Sequence, residues 1–552
     1  MSPATKTLTV RQFFGRKGLL SEWHPKYEFR AGQLAMAEAV ESALAEKKHL
    51  IVEAGTGTGK TLAYLVPAIL SGKRVVVSTG TKNLQEQLFF KDIPFLEKHL
   101  GPLRACYMKG RANYACRQKI YDAEKEPILE GLEETADFAI IREWEKTTKT
   151  GDRSEINTLP ESTTAWAKID ARSDLCSGQK CPQFERCFIT RMHQKAQESD
   201  LIIVNHHLFF ADLAVKGSDM AGIIPEYGAV IFDEAHDVED VAGQYFGVSV
   251  SSYQFEDLAR DIAGLAHRKN FGSQELDRIL ITLGERAGNF FGLFGNAEGR
   301  SGFRSHEAFL MQNEQAYRDA LTALELVALQ LELLRAAPEE AIPLVNRARE
   351  IARRLQFWME SGDRTCVYWI ERRGRGMFLQ ATPIDVSALL DEKLFDVIDS
   401  AVLTSATLAV AGEFEFTKQR LGLRSARTQV VPSHFDYASQ ALLYVPQGLP
   451  DPRSPAFAAA AAREIIALLT HSRGRAFVLF TSYQQMRLVY DRVSFEIPYE
   501  TLMQGTGPRS ALLDEFRATP HSVLFATSSF WQGVDVPGEQ LSCVIIDKLP
   551  FA

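Results

Sequence analysis

A glycine-rich turn that joins an apolar strand to an apolar helix constrains the fold of this chain more than any other feature of its sequence. The strand is the run LIVEA, Leu50–Ala54, and the helix is the run TLAYLVPAIL that begins at Thr61. Glycines let backbone N–H groups close around phosphate oxygens, a lysine ammonium neutralises the β- and γ-phosphates, and a threonine hydroxyl can ligate Mg²⁺. The turn therefore predicts a loop for ATP and Mg²⁺ in an α/β fold. Its residues are Ala54, Gly55, Thr56, Gly57, Thr58, Gly59, Lys60 and Thr61.

Seven further apolar runs predict that the strand and helix unit is repeated. Apolar strands that alternate with helices indicate parallel sheets with both faces covered. A proline-rich stretch, 445–455, separates the fourth run from the fifth and resembles a linker. We therefore predict two α/β units. The runs are residues 75–79, 201–205, 229–236, 401–408, 476–482, 522–528 and 543–549.

Two carboxylates follow one of these strands directly. Asp233 and Glu234 come after the apolar run AVIF, at the carboxyl end of the strand, where α/β proteins gather their ligands. Beside a phosphate loop, Asp233 is the expected Mg²⁺ ligand and Glu234 the group that activates the attacking water. The alternative is a solvent-exposed acidic turn. His236 completes the run DEAH and can simply cap a helix.

Two stretches interrupt the strand and helix pattern. Residues 105–195 are polar and hold five of the seven cysteines, four of them candidate metal ligands, and residues 241–362 are leucine-rich and helical. The cysteine spacing alone leaves zinc, with His193 as a further ligand, and an iron–sulfur cluster equally open, since both use four cysteines. Buried cysteines without a metal are the third alternative. The four are Cys116, Cys176, Cys181 and Cys187, whereas Cys106, Cys366 and Cys543 are given no metal role.

Composition excludes several classes of protein. The 552 residues are 45% hydrophobic with a net charge of −8, which argues against a globally basic nucleic-acid wrapper and leaves a local basic groove open. The longest apolar runs fall far short of the roughly 20 residues of a membrane span. The first residues have no apolar core of a secretory signal. We expect a cytoplasmic protein with no membrane contact.

The motifs in their order resemble those of superfamily 2 helicases. The phosphate loop, DEAH, the Ser405-Ala406-Thr407 segment and the segment FATSSFWQGVDVPG at 525–538 are divided between the two predicted sheets. A phosphate loop alone also fits a kinase, a GTPase or a transporter ATPase. The segments KGRANYAC and VNHHLFFAD, with the four cysteines, narrow the resemblance to the DinG/YoaA branch of the XPD-like iron–sulfur helicases. In such proteins Glu often stands where this chain has Gln532.

This resemblance implies an ATP-dependent DNA helicase that moves 5′ to 3′ on single-stranded DNA. It implies two RecA-like P-loop domains, the second incomplete, with an inserted iron–sulfur domain and an inserted helical arch. It selects a [4Fe-4S] cluster for the four cysteines. The implied nucleotide residues are Arg30, Gln33, Ser405, Thr407, Gly533 and Asp535, and the implied DNA contacts are Lys109, Arg111 and Tyr114. For His206 and His207 the match supplies no mechanism.

The same resemblance implies a set of domain boundaries, and two alternative functions are considered beside it. The first helicase domain is predicted at 1–104, 196–240 and 363–435, the iron–sulfur domain at 105–195, the arch at 241–362 and the second helicase domain at 436–552. No Q-x-x-G-R-x-x-R motif follows Gly538, so a truncated chain that binds ATP and DNA without unwinding is the second hypothesis. A nuclease ranks third. Expected partners are single-stranded and forked DNA and replication or repair proteins, with the chain a monomer.

Overall fold

The computed structural model gives the fold of most of the chain. It describes residues 8–23, 27–125, 131–156, 158–160, 163–172, 176–216, 222–295, 298–334, 337–360, 363–507, 509–527, 530–531, 534, 536 and 538–549. The chain forms two compact units. Met1–Gly131, Arg142–Arg153 and Ala165–His434 make up the first, and Leu132–Ile141, Ser154–Thr164 and Phe435–Ala552 make up the second.

The strands form three sheets. The strands are β1 Leu50–Ala54, β2 Val75–Thr79, β3 Ala105–Tyr107, β4 Leu201–Asn205, β5 Ala229–Asp233, β6 Val248–Ser251, β7 Gly299–Gly302, β8 Cys366–Arg373, β9 Gly376–Pro383, β10 Ser400–Ser405, β11 Arg427–Val431, β12 Ala476–Leu479, β13 Thr501–Met503, β14 Val523–Ala526 and β15 Cys543–Ile546. Their orders are β11-β1-β10-β5-β2-β4-β3, β13-β14-β12-β15 and β6-β9-β8-β7.

Helices connect and cover these sheets. They are α1 Val10–Phe14, α2 Leu19–Trp23, α3 Ala31–Glu46, α4 Lys60–Leu70, α5 Lys82–Gln87, α6 Ile93–Leu100, α7 Arg117–Lys125, α8 Gly131–Glu145, α9 Thr164–Ile169, α10 Phe188–Glu198, α11 His206–Val215, α12 Val238–Phe246, α13 Ser252–Lys269, α14 Gln274–Gly292, α15 His306–Leu333, α16 Ile342–Glu360, α17 Ser387–Leu390, α18 Glu415–Leu421, α19 Tyr437–Gln440, α20 Phe457–Ser472, α21 Tyr483–Val493 and α22 Arg509–Ala518. None of the described helices combines the length and the apolar character that a bilayer crossing needs.

The seven-stranded sheet of the first unit is parallel throughout and buried on both faces. In β1, Leu50 and Val52 pack with helices α3 and α4 on one face, and Ile51 packs with α11 and α12 on the other. Side chains of a strand alternate between faces, so an apolar run such as LIVEA needs cover on both sides. The predicted parallel α/β sheet is confirmed.

The parallel direction brings the carboxyl ends of β1, β2, β5 and β10 to one edge of the sheet. Asp233 at the end of β5 pairs with Thr79 of β2 and with Thr404 of β10. Glu53 of β1 pairs with Ser405 of β10. The residues that follow these four strands therefore lie side by side, although they come from segments far apart in the sequence.

The antiparallel sheet, β6-β9-β8-β7, packs one face against helices α13 to α16. Met377, Leu379 and Ala381 of β9 are buried in the same core as those helices. The hairpin of β8 and β9 turns at Arg373 to Gly376. The predicted domain boundary at 362/363 does not coincide with the edge of this sheet, because the hairpin pairs with β6 and β7.

The second unit contains a four-stranded parallel sheet. β12 pairs in parallel with β14 and β15, and β14 pairs in parallel with β13. Helices α20 and α21 pack on one face through Ile465, Leu469 and Val489, and Leu512 and Phe516 of α22 pack on the other. The strands predicted for this unit are present, each shorter by a few residues at its carboxyl end.

Candidate functional site

The predicted phosphate loop runs from the end of β1 to the start of α4. Gly57 and Gly59 have φ angles of 78° and 82°, in the left-handed region that glycine adopts without strain. A Cβ at Gly59 would lie 2.3 Å from the side-chain nitrogen of Gln33. The Thr58 hydroxyl donates to the carbonyl of Gly55 at 2.7 Å and closes the loop on itself. The left-handed glycines and the Thr58 hydrogen bond therefore define the shape of the loop.

Two of the implied nucleotide residues, Arg30 and Gln33, contact this loop. The Gln33 amide donates to the Gly59 carbonyl at 3.0 Å, and Arg30 donates to the Gly57 carbonyl. Arg30 Nε is buried and has no hydrogen-bond partner among the described residues. The geometry places both residues beside the nucleotide loop, where their side chains order its backbone.

The carboxylate of Asp233 is buried behind the loop. Its Oδ2 accepts a hydrogen bond from the Tyr64 hydroxyl at 2.9 Å, and its Oδ1 accepts from the Glu234 N–H at 3.1 Å. Burial, followed by the charge of Glu234, raises the pKa of Asp233 from 3.8 to about 6. One tyrosine thus holds the carboxylate that is expected at the Mg²⁺.

Glu234 lies between the lysine of the loop and the Ser405-Ala406-Thr407 segment. Lys60 Nζ is 3.8 Å from its Oε1, and the Ser405 hydroxyl donates to its Oε2 at 3.2 Å. His236 Nδ1 is 2.8 Å from the same hydroxyl. The Thr407 N–H is 3.5 Å from Ser405 Oγ, while its side chain is exposed. The acidic pair is therefore not an isolated exposed turn.

The backbone of Glu234 is in the left-handed region, with a φ of 57°. This conformation costs a non-glycine residue free energy and persists only where surrounding contacts impose it. The buried His206 supplies one contact, with Nε2 3.4 Å from the Glu234 carbonyl and Nδ1 2.7 Å from the Ser78 hydroxyl. Sequence reasoning left His206 out of the site, because a histidine at the start of a helix gives no local sign of this bond.

Glu53 is a second residue that sequence reasoning missed. Its Oε2 accepts hydrogen bonds from the N–H groups of Leu408 and Ala409, at 2.6 and 2.7 Å. The last residues of β1 thus hold the backbone that follows the Ser405 segment. A charged residue inside the apolar run LIVEA was the available signal.

The three expected DNA contacts differ in their exposure. Lys109 is 2% exposed, and its ammonium pairs with Asp152 and Glu86, each at 2.6 Å. Tyr114 is 2% exposed, and its hydroxyl accepts from the Lys109 N–H at 3.1 Å. A buried ammonium cannot meet a phosphate and a buried ring cannot stack on a base, so direct contact by these two is corrected to a role in the fold. Arg111 is partly exposed and donates to the Ala171 carbonyl.

The four predicted metal ligands lie on two segments of the same unit. Cys116 precedes α7, and Cys187 caps α10; both pack against a small apolar cluster of Tyr114, Ala171 and Ile189. Cys176 is exposed and Cys181 half-buried, and none of the four forms a disulfide. Among the described residues, no three His, Cys, Asp or Glu side chains are close enough to hold a metal ion.

The expected site residues of the second unit lie largely outside the described part of the chain. Gly533 and Asp535 belong to it in sequence, as does Gln532, and none of the three is among the described residues. The strand that leads to them, β14, is present, and Phe530 is buried against it. Their role in nucleotide binding stays a prediction.

Comparison with known proteins gives a consistent result over the whole chain. The DEAD/DEAH box helicase family matches residues 34–151, and the helicase C-terminal domain family matches 465–552. The protein named ATP-dependent DNA helicase YoaA from Haemophilus influenzae is 36% identical over 98% of this chain and 85% of the relative. The ATP-dependent helicase DinG from Mycobacterium tuberculosis is 32% identical over 95% of this chain and 82% of the relative.

A solved XPD helicase shares the fold, with a TM-score of 0.52 and 14% identity, over 94% of this chain and 85% of that chain. At this identity the likeness concerns the fold alone, and it confirms the predicted RecA-like architecture. The sequence identity to YoaA and DinG extends over nearly the whole chain. This chain therefore belongs to the DinG/YoaA family of XPD-like helicases.

Proposed function

We propose that this chain is an ATP-dependent DNA helicase that moves 5′ to 3′ along single-stranded DNA. The observation that supports this proposal most directly is that Lys60, Asp233 and Glu234 meet at the carboxyl edge of one sheet. Family membership supports the same activity. A kinase or GTPase would not need the Ser405 segment to be hydrogen-bonded to the water-activating carboxylate.

In this proposal the phosphate loop binds the triphosphate, and Glu234 orients and deprotonates the attacking water. Lys60 neutralises the phosphate oxygens. Thr61, in the first turn of α4, and Asp233, bonded to the Tyr64 hydroxyl, would hold Mg²⁺, which would neutralise charge that develops on the phosphates. Ser405 joins Glu234 to the backbone that follows β10. Changes at the γ-phosphate can then reach the segment held by Glu53.

The proposal includes a [4Fe-4S] cluster held by Cys116, Cys176, Cys181 and Cys187. Support comes from the thiols themselves: none is used in a disulfide, and Cys116 and Cys187 pack in one cluster of side chains. Four thiolates are the donor set that such clusters use. The cluster would link two segments of the chain. Apolar contacts between only a few of the described residues join these segments otherwise.

The domain arrangement, substrate, working form and partners that we propose follow from the family membership of the chain. The inserted iron–sulfur domain and the inserted arch would flank the path of the DNA, with the second helicase domain at 436–552. We propose single-stranded and forked DNA as the substrate, a monomer as the working form and the cytoplasm as the compartment. Replication or repair proteins would be its partners.

ATP hydrolysis and strand displacement by the purified chain test the proposal. We expect hydrolysis to be stimulated by single-stranded DNA and a duplex with a 5′ tail to be unwound in preference to one with a 3′ tail. Lys60→Ala and Glu234→Gln should each lower hydrolysis at least about 100-fold while DNA binding persists. Unwinding from the 3′ tail would contradict the direction. Binding without any hydrolysis in the wild type would favour the second hypothesis, an ATP- and DNA-binding chain.

A further inference from the structure

Arginines lie over aromatic rings on one face of the antiparallel sheet. The guanidinium of Arg300 on β7 is 4.8 Å from the ring centroid of Trp369 on β8. The guanidinium of Arg373 on β8 is 5.3 Å from the ring centroid of Phe378 on β9. The side chains of Arg300 and Arg373 are 64% and 60% exposed. This sheet face thus presents cations and rings together to solvent.

The strand register places these residues on the same face. Arg300 pairs with Glu371, and Glu371 pairs with Phe378, so the three form one row across β7, β8 and β9. Trp369 and Arg373 lie two residues to either side of Glu371, on that face. The opposite face, with Leu379, is buried against the helices of the arch. We call the solvent side the outer face of the sheet.

The charge of the outer face is positive, although the chain carries −8. Glu371 is the acid within the row, and it pairs with Arg300 at 2.9 Å and with Arg373 at 2.5 Å. Arg375 adds a cation at the hairpin turn, where it is exposed with no ion-pair partner among the described residues. Arg372 pairs with Met377 and so belongs to the opposite face. Three arginines and one glutamate therefore lie on the outer face and its turn.

This combination matches the chemistry of an unpaired nucleic-acid strand. Guanidinium groups bind phosphates and offer planes on which bases stack, and aromatic rings supply further stacking surfaces. A duplex hides its bases and could use only the cations. An acidic peptide likewise would use the arginines and leave Trp369 and Phe378 without a role.

We propose that the outer face of β7, β8 and β9 is a contact site for single-stranded DNA. Arg373 and Arg375 meet phosphates, and Trp369 with its overlying Arg300 stacks on a base. The site rests on the proposed helicase function. Lys109 and Tyr114, the DNA contacts that the sequence predicted, are buried. The outer face instead offers side chains that solvent reaches.

Binding of a fluorescein-labelled 30-nucleotide oligo-dT to the full chain, without nucleotide, tests the site. The test variant is Arg373→Gln with Arg375→Gln, and the matched control is Arg353→Gln with Arg354→Gln on α16, an exposed pair on the same arch. We expect the test variant to bind about tenfold more weakly at 0.1 M salt and to lower the slope of log K against log salt by about 1.4, the effect of two lost phosphate contacts. The control should match the wild type.

Two further measurements are needed. The first distinguishes base stacking from electrostatic attraction, and the second distinguishes direct DNA contact from an indirect effect of the substitutions. Trp369→Ala should weaken oligo-dT binding at least about fivefold with no change in the salt slope. A wild-type strand that carries 4-thiothymidine should cross-link to the peptide 366–383. The site is contradicted if the Arg373 and Arg375 variant matches its control and no cross-link reaches the hairpin.

The outcomes distinguish this site from the proposed function. A wild type that binds and unwinds DNA, with equal affinities for test and control variants, overturns the site alone. A wild type that binds no oligo-dT overturns both. A loss in the arginine variant without any loss in Trp369→Ala points to a purely electrostatic contact and overturns the stacking role.

Discussion

The imidazole of His206 joins two segments of the site through a pair of hydrogen bonds. Burial lowers the pKa of His206 from 6.5 to about 4, so the ring is neutral at pH 7 and has one N–H. A carbonyl can only accept, so Nε2 donates to Glu234 and Nδ1 accepts from the Ser78 hydroxyl. The ring thereby supports the left-handed backbone of Glu234, the residue proposed to activate the water.

Substitution of His206 should therefore lower the rate of hydrolysis without weakening ATP binding. We expect His206→Ala to reduce kcat by about tenfold to 100-fold and to leave the KM for ATP within about twofold, because a displaced Glu234 mispositions the water while the phosphate loop is intact. His206→Gln, which keeps a donor, should recover part of the rate. His207→Ala on the same helix is the control, and equal kcat values for the two alanine variants would contradict the role.

Asp233 should make the metal-free protein less stable at high pH. Its pKa is raised from 3.8 to about 6, so the folded state resists ionisation. The resulting penalty is absent below pH 3.8, grows as the pH rises to about 6 and is constant above, at about 3 kcal/mol. Asp233→Asn removes it. In buffer without Mg²⁺ or nucleotide, calorimetry should show a higher Tm for this variant than for the wild type at pH 8 and a similar Tm at pH 4.

The control variant for that measurement is Asp240→Asn, because Asp240 is exposed. A carboxylate in water has no burial penalty, so its replacement should leave the Tm unchanged at either pH. A gain for Asp233→Asn that is the same at pH 4 and pH 8 would contradict the titration argument, because it would reflect packing and not charge.

At the scale of elements, Glu53 connects β1 to the backbone that follows β10. The carboxylate accepts two N–H groups, and hydrogen bonds to a charged group are stronger than those to a neutral one. We expect Glu53→Gln to destabilise the chain by about 2 kcal/mol and to reduce DNA-stimulated hydrolysis more than basal hydrolysis. Denaturation and paired ATPase assays measure the two effects. Glu46→Gln, an exposed residue paired with Arg427, should change neither.

The elements themselves were predictable because their signals are local. β1, β2 and β4 begin and end where the apolar runs do, and the glycine loop lies between β1 and α4 as the motif requires. The contacts between elements were not predictable in the same way. Glu53 and Leu408 are 355 residues apart, and nothing near either residue indicates the other. The predicted exposure of Lys109 was wrong for a related reason. Its buried partner, Asp152, lies on a loop that comes later in the chain.

At the scale of the whole molecule, motif order carried more information than composition. Neither the charge of −8 nor the seven cysteines distinguishes this chain from other enzymes, whereas the order of four motifs defined the sheets and their ligand edge. The predicted limits of the inserted segments were less informative. β3 pairs with β4 in the large sheet although residue 105 was predicted to lie in the iron–sulfur domain, and the hairpin of β8 and β9 joins the antiparallel sheet although residues 363–435 were predicted to lie in the first helicase domain. Hydrophobic patterning identifies a strand but not the sheet that it joins.

The cysteines allow one prediction that concerns the whole chain. If four of them hold a cluster, Cys116→Ser and Cys187→Ser should each reduce bound iron from about four atoms per chain to nearly none and abolish the absorbance near 400 nm. Cys366→Ser and Cys543→Ser should retain both, because neither residue lies near the cysteine segments in sequence. Iron and acid-labile sulfide are measured on protein purified without oxygen.

The same variants test what the cluster does. A cluster that only fastens the two segments of the first unit should, when lost, lower DNA binding and strand displacement while the phosphate loop and Asp233, on the edge of the large sheet, still support basal hydrolysis. Zinc in place of iron in the wild type would contradict the cofactor, as would full iron content in Cys116→Ser. Loss of basal hydrolysis together with iron would show that the cluster maintains the sheet itself, and that the cysteine segments are part of the motor domain.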